Sequence, residues 1–559
     1  MNKLGDTYNA LCTRLRNELN GQGFWTGELS SSALSTAVAI VAMKINGNDT
    51  DSDKIRSGYD WLSKNINTDG GFGDTPRSKS NVSTSLLAYA ALSSCSPEGN
   101  NEKSRSVISK LELYLDSQNI SFTSGNVAAS ILQFYGKDYT FSVPILSMLL
   151  VCGILTEDSI EKIPQLPFEF SLLPASLYRF FNLQVVSYAV PVLIGVGIFT
   201  HSKRRGFSLY RPIRDYSIKP SIKKLEKIMP ESGGFLEAIP LTGFVCMCLI
   251  ESGEGRNRVV DDGIAFLRKQ QRPDGSWPID TDLSTWVTTL AIKAFGQKLD
   301  SVFEPGKIET LREHLLDIQY KEKHSFNGAK PGGWGWTNYS GSVPDADDTP
   351  GAIMALLTMY TGSFREIDAI VNGCQWLVSV QNNDGGFPTF CKGWGRLPFD
   401  SSCADLTGHS IVAFFTAIEK LGSKISPGLQ HKFLRSAIRA LRYLAKHQNT
   451  DGSWFPLWFG NQSAENQRNP VYGTAKVVTY LEDCLINNSV EGQYKGTIKT
   501  LTNAGKKYIE QQQNADGSWG GCRGIVGTIE ETSLAICALA TYNRPACLKG
   551  FEWLDQNTD

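Results

Sequence analysis

The chain has 559 residues and a formal net charge of -1, with 41% hydrophobic and 20% charged residues. This is globular composition, not that of a disordered or fibrous chain, and the length suits about two large domains. A near-zero charge, with no RNA-binding or zinc-finger signature, removes the electrostatic case for nucleic acid.

The N-terminal stretch MNKLGDTYNALCTRLRNEL lacks a leader pattern. The twelve Cys are scattered and form no CxxC pair, and Cys246 and Cys248 would point different ways on a helix. Both features predict a reduced, cytoplasmic compartment in which most Cys act as small buried hydrophobes.

A repeated unit then sets the fold class. A remnant ends at Phe24-Trp25, and Trp61-Leu62-Ser63 leads to Asp69-Gly70-Gly71-Phe72. Clear copies read FLRKQQRPDGSW (266–277), WLVSVQNNDGGF (376–387), YLAKHQNTDGSW (443–454) and YIEQQQNADGSW (508–519), with a looser one from Leu315 to Trp334. Each is an apolar-faced helix ending in Gln, then a Gly turn, then an aromatic. Gly supplies the positive φ of a tight turn. The aromatic can pack back on the helix end while the Gln amide bonds the turn. A second apolar stretch follows: Thr285–Phe295, Ala352–Tyr360, Thr407–Ala417, Gly473–Leu481 and Thr532–Ala540. Helix pairs of this kind predict an all-α chain of two α/α barrels, with inner helices lining a cavity. A flat solenoid is the competing arrangement.

The repeat is clear after Gly263 and faint before it, with no clean copy between Val107 and Arg204. We expect residues 1–20 plus 282–559 to form one barrel and 21–281 an inserted second one. The basic, Pro-punctuated Lys203–Lys224 reads as a surface connection. The longest apolar run, Val185–Phe199, is too short for a typical span of about 20 residues, so any membrane contact should be monotopic. Phe141–Leu155, Val185–Phe199 and Ile239–Ile250 are the apolar candidates for it.

The chemical signal is PGGWGWTNYSGSVPDADDTPGAIMALLTMY (331–360). Asp345, Asp347 and Asp348 fall within four residues, beside a helix start with Thr349 or Asp348 as cap and Pro350 as first helical residue. Crowded carboxyls cannot all ionise, so one is retained as a neutral acid. Read alone, such a cluster is also compatible with a capped helix bearing surface acids, or with a cation loop.

With its surroundings, the segment resembles the DxDD region of squalene–hopene cyclases. Gly71–Leu92, Leu166–Pro174, Asp405–Ile411 (DLTGHSI) and 451–474 resemble further family segments in the same order. The resemblance implies a class II terpene cyclase. Asp347 is then the proton donor, assisted by Asp345 and Asp348, and His409 is its hydrogen-bond partner. Asp405, four residues earlier on the same helix face, could hold His409. Trp286, Trp336, Trp458, Tyr472, Phe390 and Tyr188 match the aromatics that line the family's cavity, where ring faces stabilise cations without quenching them. No metal site is implied.

The chain stops at Phe551–Asp559 without the family's last Phe- and Tyr-rich segment, and the first domain is short around Ser104–Thr140. A neutral linear isoprenoid such as squalene is the expected substrate. A prenyl diphosphate of farnesyl to geranylgeranyl length is the alternative, with Lys392 or Arg396 at the cavity mouth and Mg2+ assisting. A zinc prenyltransferase β subunit, using Asp400, Cys403 and His409, is a weaker reading, because the DxC spacing is missing. A non-catalytic binding barrel would leave the acids unexplained. The expected setting is cytoplasmic or peripheral on the inner membrane face, with a homodimer as one oligomeric form.

Overall fold

The computed structural model describes residues 2–96, 102–120, 122, 127–136, 139–173, 190–205, 209–390 and 401–558. Among these, the only paired strands are β1 (Ser31–Ser32) and β2 (Trp277–Pro278), joined antiparallel. Everything else regular is helical, as the repeat predicts.

Helices divide by composition. The Ala33–Asn46 and Ile239–Leu249 helices are apolar on nearly every side and buried along most of their length. Such helices must sit inside a ring of others. Pro427–His447 instead buries one stripe, with Phe433, Ala437, Ala440, Leu441 and Leu444 inward. In the first barrel the inner helices Ala33–Asn46, Val82–Ser94, Tyr139–Val151, Val190–Lys203 and Ile239–Leu249 follow one another in contact, and the last closes on the first. In the second, the inner helices are α1 (Ser284–Phe295), α2 (Asp348–Thr358), α3 (Ala404–Leu421), α4 (Pro470–Leu485) and α5 (Ile529–Leu539), each against the next. Amphipathic helices cover them outside.

The cores are separate. One gathers buried apolar residues from Ala33 to Trp277. The other runs from Ala291 to Ala546 and includes Trp25, with Cys12, Leu15 and Leu19 against it. Trp25 lies on the inserted side of the boundary read from sequence, yet it packs with the second core. The Asn2–Asn17 helix also meets the last helix, Arg544–Asn557, through Thr7 Oγ1 donating to Asp555 Oδ1 at 2.9 Å.

The Gln turns form as expected, with two carbonyls per amide. Gln381 Nε2 donates to Gly385 O at 2.8 Å and to Ser436 O of the neighbouring helix at 3.0 Å. Gln271, Gln319, Gln448 and Gln513 repeat the pattern. The indoles of Trp277, Trp334, Trp454 and Trp519 donate back to the preceding helix at 2.7–3.0 Å. The aromatic's own N–H takes a Thr hydroxyl of the next inner helix, as in Trp454 N to Thr474 Oγ1 at 2.9 Å. Each net hydrogen bond contributes about 0.5–1.5 kcal/mol, so every turn rivets two outer helices to one inner one. At Gly385, φ is +97° and a Cβ would lie 2.5 Å from Arg439 O, so only glycine fits.

Two expectations need correction. Lys203–Lys224 is not a bare connection: Arg211–Ile228 is a helix, with Pro212 in its first turn, where the missing N–H costs nothing. The three apolar stretches offered as membrane faces are core instead, because Ile145, Leu146, Ile194, Phe199, Val245 and Met247 are buried inside the first barrel. Residues 185–189 lie outside the described residues. The exposed apolar side chains nearby are Leu209, Tyr210, Ile213 and Tyr216, the first and last more than 80% exposed.

Candidate functional site

The acid motif sits where α2 begins. Asp345, not Thr349 or Asp348, caps the turn: its Oδ1 accepts from Asp347 N at 2.8 Å and Asp348 N at 2.7 Å. The helix therefore starts at Asp348, two residues earlier than Pro350 alone suggested. Asp345 N donates to Trp334 O, and Ala346 N to Thr389 O, so two Gly-aromatic turns hold the motif.

The three carboxyls differ. Asp345 and Asp348 are buried. Burial, then the charge of Asp347, pushes Asp345 up, and burial with both neighbouring charges pushes Asp348 up as well. This pair keeps a proton at neutral pH, and Asp348 Oδ1 is buried without a partner. The Asp347 side chain keeps 18% of its surface exposed, so it is the member that faces open space. His409 Nδ1 lies 3.0 Å from its Oδ1, and Trp286 Nε1 donates to its Oδ2 at 3.1 Å. Burial pulls Asp347 up, but the His409 bond, the Lys476 charge and the Trp286 bond overcome it and hold the carboxyl at about 2. His409 is buried and pulled down to about 4, mainly by burial, so it is neutral near pH 7 and its Nδ1–H is the donor to the carboxylate. Gly351 lets these helices approach: a Cβ there would lie 2.9 Å from Thr289 Oγ1 and 3.6 Å from His409 Cε1.

Aromatic rings continue from the acid. Trp286 stacks on Phe459 with centroids 6.3 Å apart, and Phe459 on Tyr472 at 4.8 Å. Trp336 meets Phe390 edge-on at 5.9 Å, and its carbonyl accepts from Thr285 N and Trp286 N at the start of α1. Trp458 Nε1 donates to Thr389 Oγ1 at 2.6 Å. Trp286, Trp336, Phe390, Trp458 and Tyr472 are thus gathered around the acid. Tyr188, Lys392, Arg396 and Asp400 lie outside the described residues.

Asp405 does not hold His409. Its Oδ1 takes the Cys403 thiol at 2.5 Å, because the His409 ring is turned toward Asp347. Cys403 and His409 therefore serve different acids, and among the described residues no group of three or more His, Cys, Asp or Glu is placed to hold a metal.

Sequence reasoning missed Phe459, which adopts a left-handed φ of +65° between Trp286 and Tyr472. Strain at a bulky residue of this kind marks an over-determined position. Its only sequence signal was adjacency to Trp458. It also missed Lys476 and Tyr480, four and eight residues after Tyr472 on α4. Tyr480 stacks on His409 with centroids 4.4 Å apart and an interplanar angle of 9°. Glu237 was missed as well. Leu236 and Glu237 are both left-handed, at φ +54° and +56°. The fully buried Glu237 Oε1 accepts from Gly341 N at 2.9 Å and Ser232 Oγ at 2.6 Å. This ties the loop before the acid motif to the end of the first barrel.

Comparison with known proteins follows this geometry. Residues 282–558 match the squalene-hopene cyclase C-terminal domain, and residues 9–103 its N-terminal domain. The chain belongs to the squalene–hopene cyclase family. Enfumafungin synthase of Hormonema carpetanum is 26% identical over 380 residues, 62% of this chain and 28% of that protein. Sporulenol synthase of Bacillus subtilis (strain 168) is 29% identical over 299 residues, 49% of this chain and 43% of that one. Squalene hopane cyclase of Aspergillus fumigatus is 23% identical over 90% of this chain and 76% of its own length. The chain thus spans less than half the length of the first curated relatives of the family that it matches. In fold it is similar to ent-copalyl diphosphate synthase from Streptomyces platensis, with a TM-score of 0.58 and 15% identity over 99% of this chain and 93% of that one.

Proposed function

We propose that the chain is a class II terpene cyclase in which Asp347 protonates the terminal alkene of a linear isoprenoid. The observation that carries this reading is the asymmetry of the three acids. Asp345 and Asp348 are buried and retain a proton, whereas Asp347 faces open space and is held as a strong acid by His409 and Trp286. An alkene is a very weak base, so its protonation needs a conjugate base stabilised in advance.

Asp347, a carboxylate at rest, first takes up a proton from water and then gives it to the less substituted alkene carbon, and the π pair of that bond forms the new C–H bond. The tertiary cation left behind is attacked by the next double bond, and each closure makes one C–C bond and moves the charge along the chain. Loss of a proton, or capture of water, ends the sequence. No electrons are lost or gained, so the chemistry calls for no redox cofactor. Trp286 is bonded to Asp347, and Phe459 and Tyr472 stack on from it, a run of faces suited to the first cation because ring faces attract a cation without bonding to it. A neutral isoprenoid is the substrate class this reading favours, because an apolar chain pairs with aromatic walls and needs no anion site beside the acid.

Such a substrate dissolves in lipid, and the exposed helix Arg211–Ile228 fits a membrane surface. Leu209 and Tyr210 are exposed just before it, Ile213 and Tyr216 along its first half, and Lys219, Lys223 and Lys227 along its second. This is a peripheral contact with anionic lipid headgroups. No helix among the described residues is long and apolar enough to cross a membrane.

Purified protein incubated with squalene, farnesyl diphosphate and geranylgeranyl diphosphate, the last two with and without Mg2+, tests the reading by mass spectrometry of the extracts. A cyclised hydrocarbon or alcohol from squalene, lost in Asp347→Asn, is expected. Conversion of a diphosphate alone moves the substrate class, and no cyclised product from any of them overturns the proposal.

A further inference from the structure

Behind the acid stands a second layer of groups that the proposed chemistry leaves unexplained. Lys476 lies one turn from Tyr472 and one turn from Tyr480 on α4, so all three share a helix face. Its ammonium is 5.9 Å from the Tyr472 ring centroid and 5.3 Å from that of Tyr480. The Tyr480 ring is the one stacked on His409, and His409 bonds Asp347 at 3.0 Å. Lys293 of α1 lies over the same Tyr480 ring at 4.3 Å and reaches Asp483 at 3.8 Å. An ammonium set among aromatic rings and linked through Tyr480 and His409 to the acid is placed for charge, not for solubility.

Lys476 is partly buried, and among the described residues it makes no direct ion pair. A cation removed from water needs a compensating anion nearby. The groups that face it are Asp347 at the start of α2, Asp405 and His409 on α3, Lys293 on α1, Tyr472 and Tyr480 on α4, and Glu530 on α5. Burial pushes Asp405 and Glu530 up, and Asp405 is already bonded to the Cys403 thiol. Asp347 is the carboxyl held low.

We propose that Lys476 is a positioning residue for the acid: its ammonium, set between the Tyr472 and Tyr480 rings, is the counter-charge of the Asp347 carboxylate and braces the Tyr480–His409 stack that orients the imidazole. It touches neither substrate nor proton. It acts on the conjugate base that remains after each proton transfer, and Tyr480 couples that charge to His409. The inference rests on the cyclase reading for its purpose, but the coupling of Lys476 to Asp347 is a property of the folded chain alone.

A double-mutant cycle on the full chain tests it, with Tm measured at pH 7 for Lys476→Met alone, Asp347→Asn alone and both together. The expected result is that Lys476→Met lowers Tm in the wild-type background and loses at least half of that effect in the Asp347→Asn background. Lys476→Arg should keep the wild-type Tm. A second readout is the pH profile of cyclisation, whose Asp347-dependent limb should move to higher pH by about one unit, tenfold in proton affinity, in Lys476→Met and not in Lys476→Arg. Equal Tm losses in both backgrounds make Lys476 an ordinary structural residue and overturn the proposal. So does an arginine variant displaced as far as the methionine one. Should Lys476→Met fail to fold, Tyr480→Phe, which keeps the ring and removes the hydroxyl beside the ammonium, is measured in the same two backgrounds and must show the same dependence on Asp347. If the wild-type protein cyclises none of the isoprenoids, the cyclase reading falls while the Tm cycle still decides this one.

Discussion

The indole Nε1 of Trp286 donates to Asp347 Oδ2 at 3.1 Å, while His409 occupies the other carboxylate oxygen. Trp286 thus offers two things from one side chain: a hydrogen bond to the conjugate base and a ring face stacked on Phe459. Substitutions separate them. Trp286→Phe keeps a ring and removes the N–H. A hydrogen bond to a charged group contributes about 1.5–3 kcal/mol, so a drop of about tenfold or more in kcat is expected, with the product pattern retained. Trp286→Ala should also change the products, read by gas chromatography of the extracts. Identical product ratios in both variants would show that the ring face does not steer the cation.

His409 controls the pH response. Without its bond, burial is opposed by less, so the Asp347 carboxyl rises from about 2. His409→Ala should lower the rate strongly and move the profile to higher pH. The imidazole itself sits at about 4 in the fold, against about 6.5 when unfolded. The unfolded chain therefore binds more protons between those values, and stability is full above about 6.5 and lost as pH falls through 4. Thermal melts from pH 7 to 4 should show a falling Tm that is blunted in His409→Ala.

Asp348 gives the opposite sign. Its folded pKa is raised well above the unfolded value of about 3.9, so its contribution is full below that value and is lost as pH rises toward the folded pKa. Asp348→Asn mimics the protonated form. It should match wild type near pH 4 and melt at a higher temperature at pH 8, while cyclisation falls. Equal Tm differences at both values would mean that Asp348 does not titrate in the fold.

Lipid attachment should depend on charge. Chain-wide neutrality by itself predicts binding that salt does not disturb, but the Arg211–Ile228 helix concentrates lysines beside its exposed apolar residues. Protein should float with anionic vesicles, less with neutral ones, and detach in high salt. Replacing Lys219 and Lys223 with Gln should weaken flotation and leave activity in detergent unchanged. Equal flotation with both vesicle types would return the contact to a purely apolar patch.

The repeat was legible because its chemistry is local. Gln, Gly and the aromatic lie close in sequence, so the bond of Gln381 to Gly385 O was readable, while its second one, to Ser436 O on the neighbouring helix, was not. The acid motif was legible for the same reason, as was His409 through its resemblance to a known segment. Asp405 was misjudged because helical spacing says which side chains share a face, not which way a ring turns. His409 turns to Asp347 at the start of the neighbouring inner helix. Phe459 and Glu237 stayed hidden because their role rests on left-handed backbone that neither residue prefers. The apolar runs of the first barrel read as buried helices or as lipid contacts, because the two share one composition.

One feature of chain routing has a temporal meaning. The Asn2–Asn17 helix and Trp25 pack with the second core, and Thr7 reaches Asp555. Everything from Ala33 to Trp277 lies between them in the chain but belongs to the other core. As the polypeptide emerges, the first barrel can gather its helices while the leading segment has nothing to pack on. That segment must wait, with Cys12, Leu15 and Leu19 in water, until the final helices arrive. The second barrel then closes around the acid last, onto a partner already folded. Ribosome-arrested chains ending before residue 500 should accordingly resist protease over 33–277 while remaining cleavable before Trp25.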